Sequence, residues 1–71
     1  MRQWTGDEIR QLREANGLTQ PELGEILGVD KDTVSRWGLR KLSPNESRRI
    51  LLNILSENPA ILADSIMVIR G

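Results

Sequence analysis

The side chains best suited to bind a charged partner are concentrated in one short stretch, residues 31–41. They are Lys31, Asp32, Thr33, Ser35, Arg36, Arg40 and Lys41. Arginine can donate to both acceptors on the edge of a guanine base, and the other groups can bond to base edges or to phosphate oxygens. A solvated helix surface carries the same residue types, so the stretch by itself leaves nucleic-acid binding and an ordinary surface both open.

Charge separates along the chain, although the formal net charge is zero. Residues 31–49 carry six basic and two acidic side chains, a balance of +4, and the remaining residues balance at −4. Such a chain presents one region that attracts phosphate and another that repels it. The separation favours a nucleic-acid partner for residues 31–49, but accidental clustering on a solvated surface would give the same count.

Histidine and cysteine are both missing from the sequence. The chain therefore lacks the usual general base, the commonest metal ligand, and any thiolate site or disulfide. The neighbouring acids Asp7 and Glu8, like Glu22 and Glu25, are accounted for as helix-start and solvent-facing residues. We expect no catalytic residue, no metal site and no cofactor, and hence no enzyme.

The sequence also carries no sign of export or membrane insertion. No basic-then-apolar leader opens it, and apolar runs such as residues 66–69 are far too short to span a bilayer. The lack of cysteine fits a reducing compartment. We expect a cytoplasmic protein with no membrane partner.

Capping patterns mark the starts of five helices, and no alternating pattern indicates a strand. The predicted caps are Thr5–Glu8, Thr19–Glu22, Asp30, Ser43–Glu46 and Asn58. Pro44 would take the first position of the fourth helix, and Gly17, Gly28 and Gly38 would end the first three. We predict helices over residues 6–16, 20–27, 31–38, 44–57 and 59–69, in one all-α domain spanning residues 1–71.

Apolar residues recur at helical spacing in these segments, so the five helices are expected to share one core. Trp37 lies on the apolar side of the third helix and is assigned to the core rather than to base stacking. Trp4 is expected to cover the first helix, as part of a hydrophobic staple with Ile9. Gly24 lies where the second and third helices meet, and a residue that small would permit their close approach.

Part of the sequence resembles the helix-turn-helix of the phage Cro/repressor family, also called the Xre family. The matching segments are Gly17-Leu18-Thr19-Gln20, Glu22-Leu23, Leu27-Gly28-Val29 and Thr33-Val34-Ser35-Arg36-Trp37. Capping, glycine and apolar positions match in register, closely over residues 6–45 and loosely beyond. The resemblance implies a five-helix, lambda-repressor-like domain with its helix-turn-helix at residues 20–38, whose third helix enters the major groove of DNA.

The resemblance also implies which residues contact DNA. They are Gln20, Lys31, Asp32, Thr33, Ser35, Arg36, Arg40 and Lys41. Gln20 would bind a phosphate at the start of the second helix, residues 31–36 would contact bases or nearby phosphates, and residues 40–41 would hold the DNA backbone. For Asp32 two roles stay open: accepting from a cytosine, or capping the helix and orienting Arg36.

One feature of the family is missing. Many members pair an arginine of the first helix with a glutamate directly after the aromatic residue of the third helix. Arg13 occupies the arginine position, but Gly38 occupies the partner position. Arg13 then either binds another carboxylate, such as Glu46, or faces DNA. Arg48 and Arg49 are expected on a solvated helix face, with a phosphate contact open to one of them.

The sequence therefore favours a sequence-specific transcriptional regulator, a repressor or autoregulator that binds a double-stranded operator as a homodimer. Dimerisation is expected through the last helix, which is rich in isoleucine, leucine and methionine. The resemblance to the Cro/repressor family implies that two subunits bind half-sites about 34 Å apart. The alternative is a protein-interaction module, or an antitoxin-type protein, that uses the same scaffold to bind a toxin or another regulator.

Overall fold

The computed structural model describes residues 3–71, and every regular element in that range is an α-helix. The helices are α1 (Gly6–Ala15), α2 (Gln20–Leu27), α3 (Lys31–Gly38), α4 (Glu46–Glu57) and α5 (Pro59–Arg70). The all-α, five-helix prediction is confirmed. The bounds of α2 and α3 are those predicted, whereas α1 ends slightly earlier and α5 slightly later than expected.

Side-chain caps fix the first turns of α1, α2 and α3. The Thr5 hydroxyl accepts from the Glu8 N–H at 3.1 Å and the Glu8 carboxylate accepts from the Thr5 N–H at 3.1 Å. Thr19 heads the same arrangement in α2, and Asp30 accepts from a backbone N–H of α3 at 2.8 Å. These bonds satisfy N–H groups that a helix start otherwise leaves unpaired, and the three predicted caps are confirmed.

The predicted start of α4 is wrong. The helix begins at Glu46 rather than at Pro44. Asn45 serves as the cap in place of Ser43, because its side-chain oxygen accepts from the Arg48 N–H at 3.0 Å. Pro44 stays outside the helix as a buried residue of the loop.

The junction between α4 and α5 is closed by Asn58. Its side-chain amide donates to the Ile54 carbonyl at 2.8 Å, and it makes no side-chain bond to the first turn of α5. Asn58 stands at the start of α5, as predicted, and its carbonyl accepts from the N–H groups of Ile61 and Leu62 at 3.0 and 3.2 Å. Its side chain, however, bonds to the end of α4 and not to the first turn of α5. No single helix of the described range is long and apolar enough to cross a membrane; only α4 and α5 together, bent by 107°, reach that length and composition.

Ten buried apolar side chains of the described residues form the core. They are Trp4, Ile9, Leu18, Leu23, Leu27, Val34, Trp37, Leu52, Leu55 and Leu62. Trp37 is only 2% exposed, so its assignment to the core is confirmed. Trp4 does more than cover α1: it lies in the same core, and its indole N–H donates to the Asn53 side chain of α4 at 2.9 Å.

The turn between α2 and α3 depends on two glycines. Gly28 ends α2 in the left-handed region, at φ 75°, which favours a residue without a Cβ atom. At Gly24, a Cβ atom would lie 2.5 Å from the Val29 carbonyl oxygen and 3.3 Å from the Asp30 carbonyl carbon. The predicted close approach at Gly24 is therefore confirmed, and it fixes how the chain enters α3.

The start of α1 rests against the end of α3. A side chain at Gly6 would overlap the Trp37 carbonyl group, so a larger residue requires the backbone to shift. The positive end of the α1 dipole thereby meets the negative end of the α3 dipole, which is a favourable arrangement. The same contact brings the first turn of α1 beside the loop that follows α3.

Arg70 ties α5 to the start of α2. Its guanidinium donates to both carboxylate oxygens of Glu22, at 2.8 and 3.1 Å, and to the Gly17 carbonyl at 2.8 Å. The bonds from Arg70, followed by the bond from the Thr19 N–H, lower the pKa of Glu22 from 4.5 to about 2. The Glu22 carboxylate consequently remains ionised far into the acid range.

Substitution of Gly24 tests the close approach at the turn. We expect Gly24→Ala to destabilise the fold by about 1–3 kcal/mol, because the added methyl group overlaps backbone atoms. Gly38→Ala is the matched control: a Cβ atom there meets no atom of the described residues within 4 Å, so this change should be neutral or stabilise α3 by up to about 1 kcal/mol. Denaturant unfolding measures both, and equal destabilisation of the two variants would contradict the constraint.

Acid titration tests the contact between Arg70 and Glu22. Because the folded-state pKa of Glu22 is about 2 and its ordinary value is 4.5, the contact stabilises the fold fully above pH 4.5, and this contribution is lost as the pH falls towards 2. We expect Arg70→Ala to lower stability at neutral pH and to weaken its dependence on pH in that window. Glu22→Gln, which cannot titrate, should weaken the dependence similarly; an unchanged profile in both variants would count against the contact.

Candidate nucleic-acid interface

Asp30, rather than Asp32, caps α3. Its carboxylate accepts from the hydroxyl and the N–H of Thr33, at 2.7 and 2.8 Å. These two bonds, with a smaller contribution from the charge of Arg36, lower the pKa of Asp30. Asp32 is exposed and makes no ion pair with Arg36 or any other residue of the described range. Capping and the orientation of Arg36 are therefore not functions of Asp32 in this structure.

Most of the predicted contact residues have side chains that are unpaired within the described chain. Six carry no side-chain hydrogen bond or ion pair there: Gln20, Lys31, Asp32, Ser35, Arg36 and Lys41. Two of them are half-buried and the other four are exposed. Such groups can exchange water for the polar atoms of a ligand without first breaking an internal bond.

The other two predicted contacts are engaged within the protein. The Thr33 hydroxyl donates to Asp30, which leaves only its oxygen lone pairs for a ligand. Arg40, whose side chain is 73% exposed, donates through Nη2 to Oδ2 of Asp7 at 2.6 Å. The other carboxylate oxygen of Asp7 accepts from Arg10 at 2.9 Å. Arg40 and Lys41 both lie in the loop after α3, as expected.

The start of α2 offers an anion fewer backbone donors than the sequence indicates. Pro21 has no N–H, and the Glu22 N–H donates to the Thr19 hydroxyl at 3.3 Å. In the first turn, the backbone N–H of Gln20 therefore remains, together with its side-chain amide. The Glu22 carboxylate lies at the same helix end, but its charge is neutralised by Arg70.

Arg13 takes neither of the two roles left open for it. Its Nη1 donates to the Leu18 carbonyl at 2.9 Å, and the side chain is half-buried. The carbonyl is accessible because the chain turns back at Gly17, which has φ 64°. Since Gly38 offers no carboxylate, the arginine of α1 braces the loop between α1 and α2.

Arg48 and Arg49 are half-buried and bond to backbone carbonyls, so the expectation that they lie on a solvated face without such bonds is wrong. Arg48 donates to the Gly28 carbonyl at 3.3 Å, and Arg49 donates to the Pro44 carbonyl at 2.9 Å. The Nε atoms of both are buried without a partner among the described residues. The first turn of α4 therefore supports the helix-turn-helix turn and the loop before α4.

Two side chains form ion pairs at this surface that the sequence did not indicate, those of Asp7 and Arg70. Asp7, interpreted as a helix-start residue, binds Arg40 at a separation of 33 residues, and Arg70 binds Glu22 at a separation of 48. No local pattern signals pairs so distant in sequence. As a result, three exposed cations of the predicted site have no partner within residues 3–71: Lys31, Arg36 and Lys41.

The arrangement suits the binding of a polyanion by exposed cations and amides. Among the described residues there is no group of three or more acidic side chains placed to hold a metal ion. What remains is a helix-turn-helix in which α2 and α3 carry, near their starts, polar groups that have no partner among the described residues.

Comparison with known proteins assigns the family. A model of the helix-turn-helix domain matches residues 4–50. No curated protein and no solved structure matches the chain. The matched region spans well over half of the sequence and contains α1, α2 and α3 together with the start of α4. This protein therefore belongs to the helix-turn-helix domain family.

Proposed function

We propose that this protein is a sequence-specific transcriptional regulator of the Cro/repressor type, which binds a double-stranded operator and represses transcription. The family to which it belongs is one of DNA-binding domains and is typically non-enzymatic. One observation carries the proposal: six polar or charged side chains on and beside α2 and α3 have no partner in the described part of the chain. Such groups on a helix-turn-helix are those that contact bases and phosphates.

Base recognition is assigned to the first turns of α3. Arg36 has no hydrogen-bond partner among residues 3–71 and can bond both acceptors of a guanine, while Lys31 and Ser35 supply further donors. Asp32 is not needed for the cap and can accept from a cytosine amino group. Thr33 contributes only as an acceptor, because its hydroxyl hydrogen is directed at Asp30.

Phosphate binding is assigned to Gln20, Lys41 and Arg40. Gln20 offers one backbone N–H and a side-chain amide at the positive end of α2. Lys41 is exposed and unpaired in the described range, and Arg40 retains free donors beside its bond to Asp7. These contacts determine affinity and register rather than sequence preference. So few cations favour a shallow dependence of binding on salt.

A homodimer is the proposed binding species, and the exposed apolar side chains of α5 are its proposed interface. Ile61, Met67 and Val68 are 48%, 71% and 79% exposed on this helix. Exposed apolar side chains on one helix are typical of a surface that another molecule covers. Two domains joined there would present two copies of α3 to half-sites about 34 Å apart.

The second candidate is a protein-interaction module of the antitoxin type. It is favoured by a groove of about 380 Å³ between α2 and α5, which Ile26, Ile61 and Val68 line. Glu25 and Asp64 also line it, and neither is paired within the described residues. An apolar segment with basic flanks, from a toxin or another regulator, would complement that groove.

Selection of bound sequences from random duplex DNA tests the regulator proposal. With the selected site, we expect Arg36→Ala and Arg36→Lys both to lose about tenfold discrimination at one base pair, because lysine lacks the two-pronged donor geometry. Lys41→Ala should instead weaken binding to all sequences and reduce the salt slope by about 0.9. These side chains are exposed, so thermal unfolding should be unchanged.

Two results would contradict the proposed DNA recognition. If the unmodified protein selects no sequence and shows no salt-dependent binding, the regulator proposal is wrong and the second candidate gains support. If the two Arg36 variants lose affinity equally for all sequences, only the claim that this side chain recognises a base is contradicted.

Light scattering tests the dimer. We expect about twice the single-chain mass of 8.0 kDa for the unmodified protein and the single-chain mass for Val68→Asp. Val68 is 79% exposed, so the change should leave helix content intact. Val68→Ala, which keeps an apolar surface, is the matched control and should remain dimeric. A strict monomer at tens of micromolar would contradict the proposal.

A further inference from the structure

The end of α3 has an arginine where a glycine is usual. The Arg40 N–H donates to the Trp37 carbonyl at 3.1 Å, and the Lys41 N–H donates to the Arg36 carbonyl at 2.9 Å. This pair of bonds is a Schellman motif, whose left-handed position usually holds glycine. Arg40 occupies that position with φ 61°, and within the described range it is the one residue other than glycine with a positive φ.

The glycine nearest to this motif is not used for it. Gly38 lies two positions earlier, inside α3, and a Cβ atom there meets nothing within 4 Å in the part of the chain that the structure describes. Neither φ nor space therefore requires glycine at position 38, while position 40 holds a strained residue. A backbone conformation of this kind is unfavourable for an arginine and persists only where other contacts compensate for it.

The first turn of α1 supplies the contact that Arg40 makes. Because Gly6 lets α1 rest against the Trp37 carbonyl, Asp7 reaches the Arg40 guanidinium, and Oδ2 accepts from Nη2 at 2.6 Å. An exposed ion pair of this kind stabilises a fold only weakly, so it does not by itself explain the strained backbone. The pairing does bring the guanidinium beside the first turn of α1.

Most of the Arg40 donor groups stay available. The guanidinium is bound through Nη2, and its Nε and Nη1 groups have no partner among the described residues. The charge of Asp7 is shared with Arg10, which binds Oδ1 at 2.9 Å, so the three side chains together keep one net positive charge. Nη2 also keeps a second N–H, which with Nη1 or Nε forms a two-pronged donor pair of the kind that matches two phosphate oxygens.

We propose that Arg40 is kept in the left-handed position for its side chain, and that Asp7 is a positioning residue that presents Arg40 to a DNA phosphate. The inference rests on the proposed function and extends the DNA interface to the first turn of α1. Asp7 fixes Arg40 before DNA binds, which lowers the ordering cost of the contact. The alternative is that Asp7 competes with the phosphate, and it predicts the opposite effect of removing the carboxylate.

Arg40→Gly separates fold from function. We expect this variant to melt about 4 °C higher, because glycine adopts the left-handed conformation without strain. The same variant should bind the selected DNA about tenfold more weakly, with a salt slope reduced by about 0.9. Arg40→Asn, which tolerates the left-handed region but carries no charge, is the control and should show the same loss of affinity.

Asp7→Asn tests the positioning role. We expect about threefold weaker DNA binding with an unchanged salt slope, because Arg40 is still present but no longer held. In the Arg40→Gly background, Asp7→Asn should have no further effect on DNA affinity, which a merely structural role of Asp7 would not predict. Fluorescence anisotropy over a series of salt concentrations, with melting curves for each variant, measures all of these effects.

Each contrary result has a defined meaning. Tighter binding by Asp7→Asn, an equal effect of Asp7→Asn in both backgrounds, or wild-type affinity of Arg40→Gly would overturn this inference while leaving the regulator proposal intact. A lower melting temperature of Arg40→Gly would overturn the claim that the arginine is kept against a backbone preference. If the unmodified protein binds no DNA, the regulator proposal and this inference fall together.

Discussion

Backbone contact between helices, permitted at Gly24 and Gly6, is the constraint on which the surface around α3 depends. One contact sets the chain entering α3 against α2, and the other sets the end of α3 against α1. Between them, Val34 and Trp37 are buried in the core, which leaves the opposite side of the helix for polar residues. The direction in which Arg36 projects is therefore a consequence of packing on the other side of α3.

The fold divides the basic side chains of residues 31–49 into three groups according to their partners. Arg48 and Arg49 are bound to backbone carbonyls and brace the loops around α3. Arg40 forms an ion pair with Asp7 of α1. Lys31, Arg36 and Lys41 remain unpaired within the described residues. A charge count along the sequence thus overstates the number of free cations, because arginine also serves as a multiple donor to carbonyl groups that close a turn.

Features determined by nearby residues could be predicted from the sequence. The caps at Thr5, Thr19 and Asp30, the left-handed Gly28 and the burial of Trp37 all follow from spacing within a few residues. Asn45 displaced the predicted cap of α4 because two neighbouring residues could each fill that role, and local rules do not rank them. The contact of Arg13 with a backbone carbonyl could not be predicted, since a carbonyl leaves no trace in the residue types.

Pairs that are distant in the chain lie beyond such prediction. The partners of Arg40 and of Glu22 come from α1 and α5, and their proximity is a product of the whole fold. The same is true of the strained backbone at Arg40, where the expected sequence signal, a glycine, stands two positions away. Functional and strained positions are where local preference and global structure disagree most often.

The contact between Arg70 and Glu22 makes the electrostatic potential at the start of α2 dependent on the far end of the chain. Only while α5 lies in place does a cation offset the carboxylate beside Gln20. With α5 displaced, the same helix end would carry an uncompensated negative charge, which repels phosphate. The last helix, remote in sequence from the helix-turn-helix, thereby makes the start of α2 more attractive to an approaching anion.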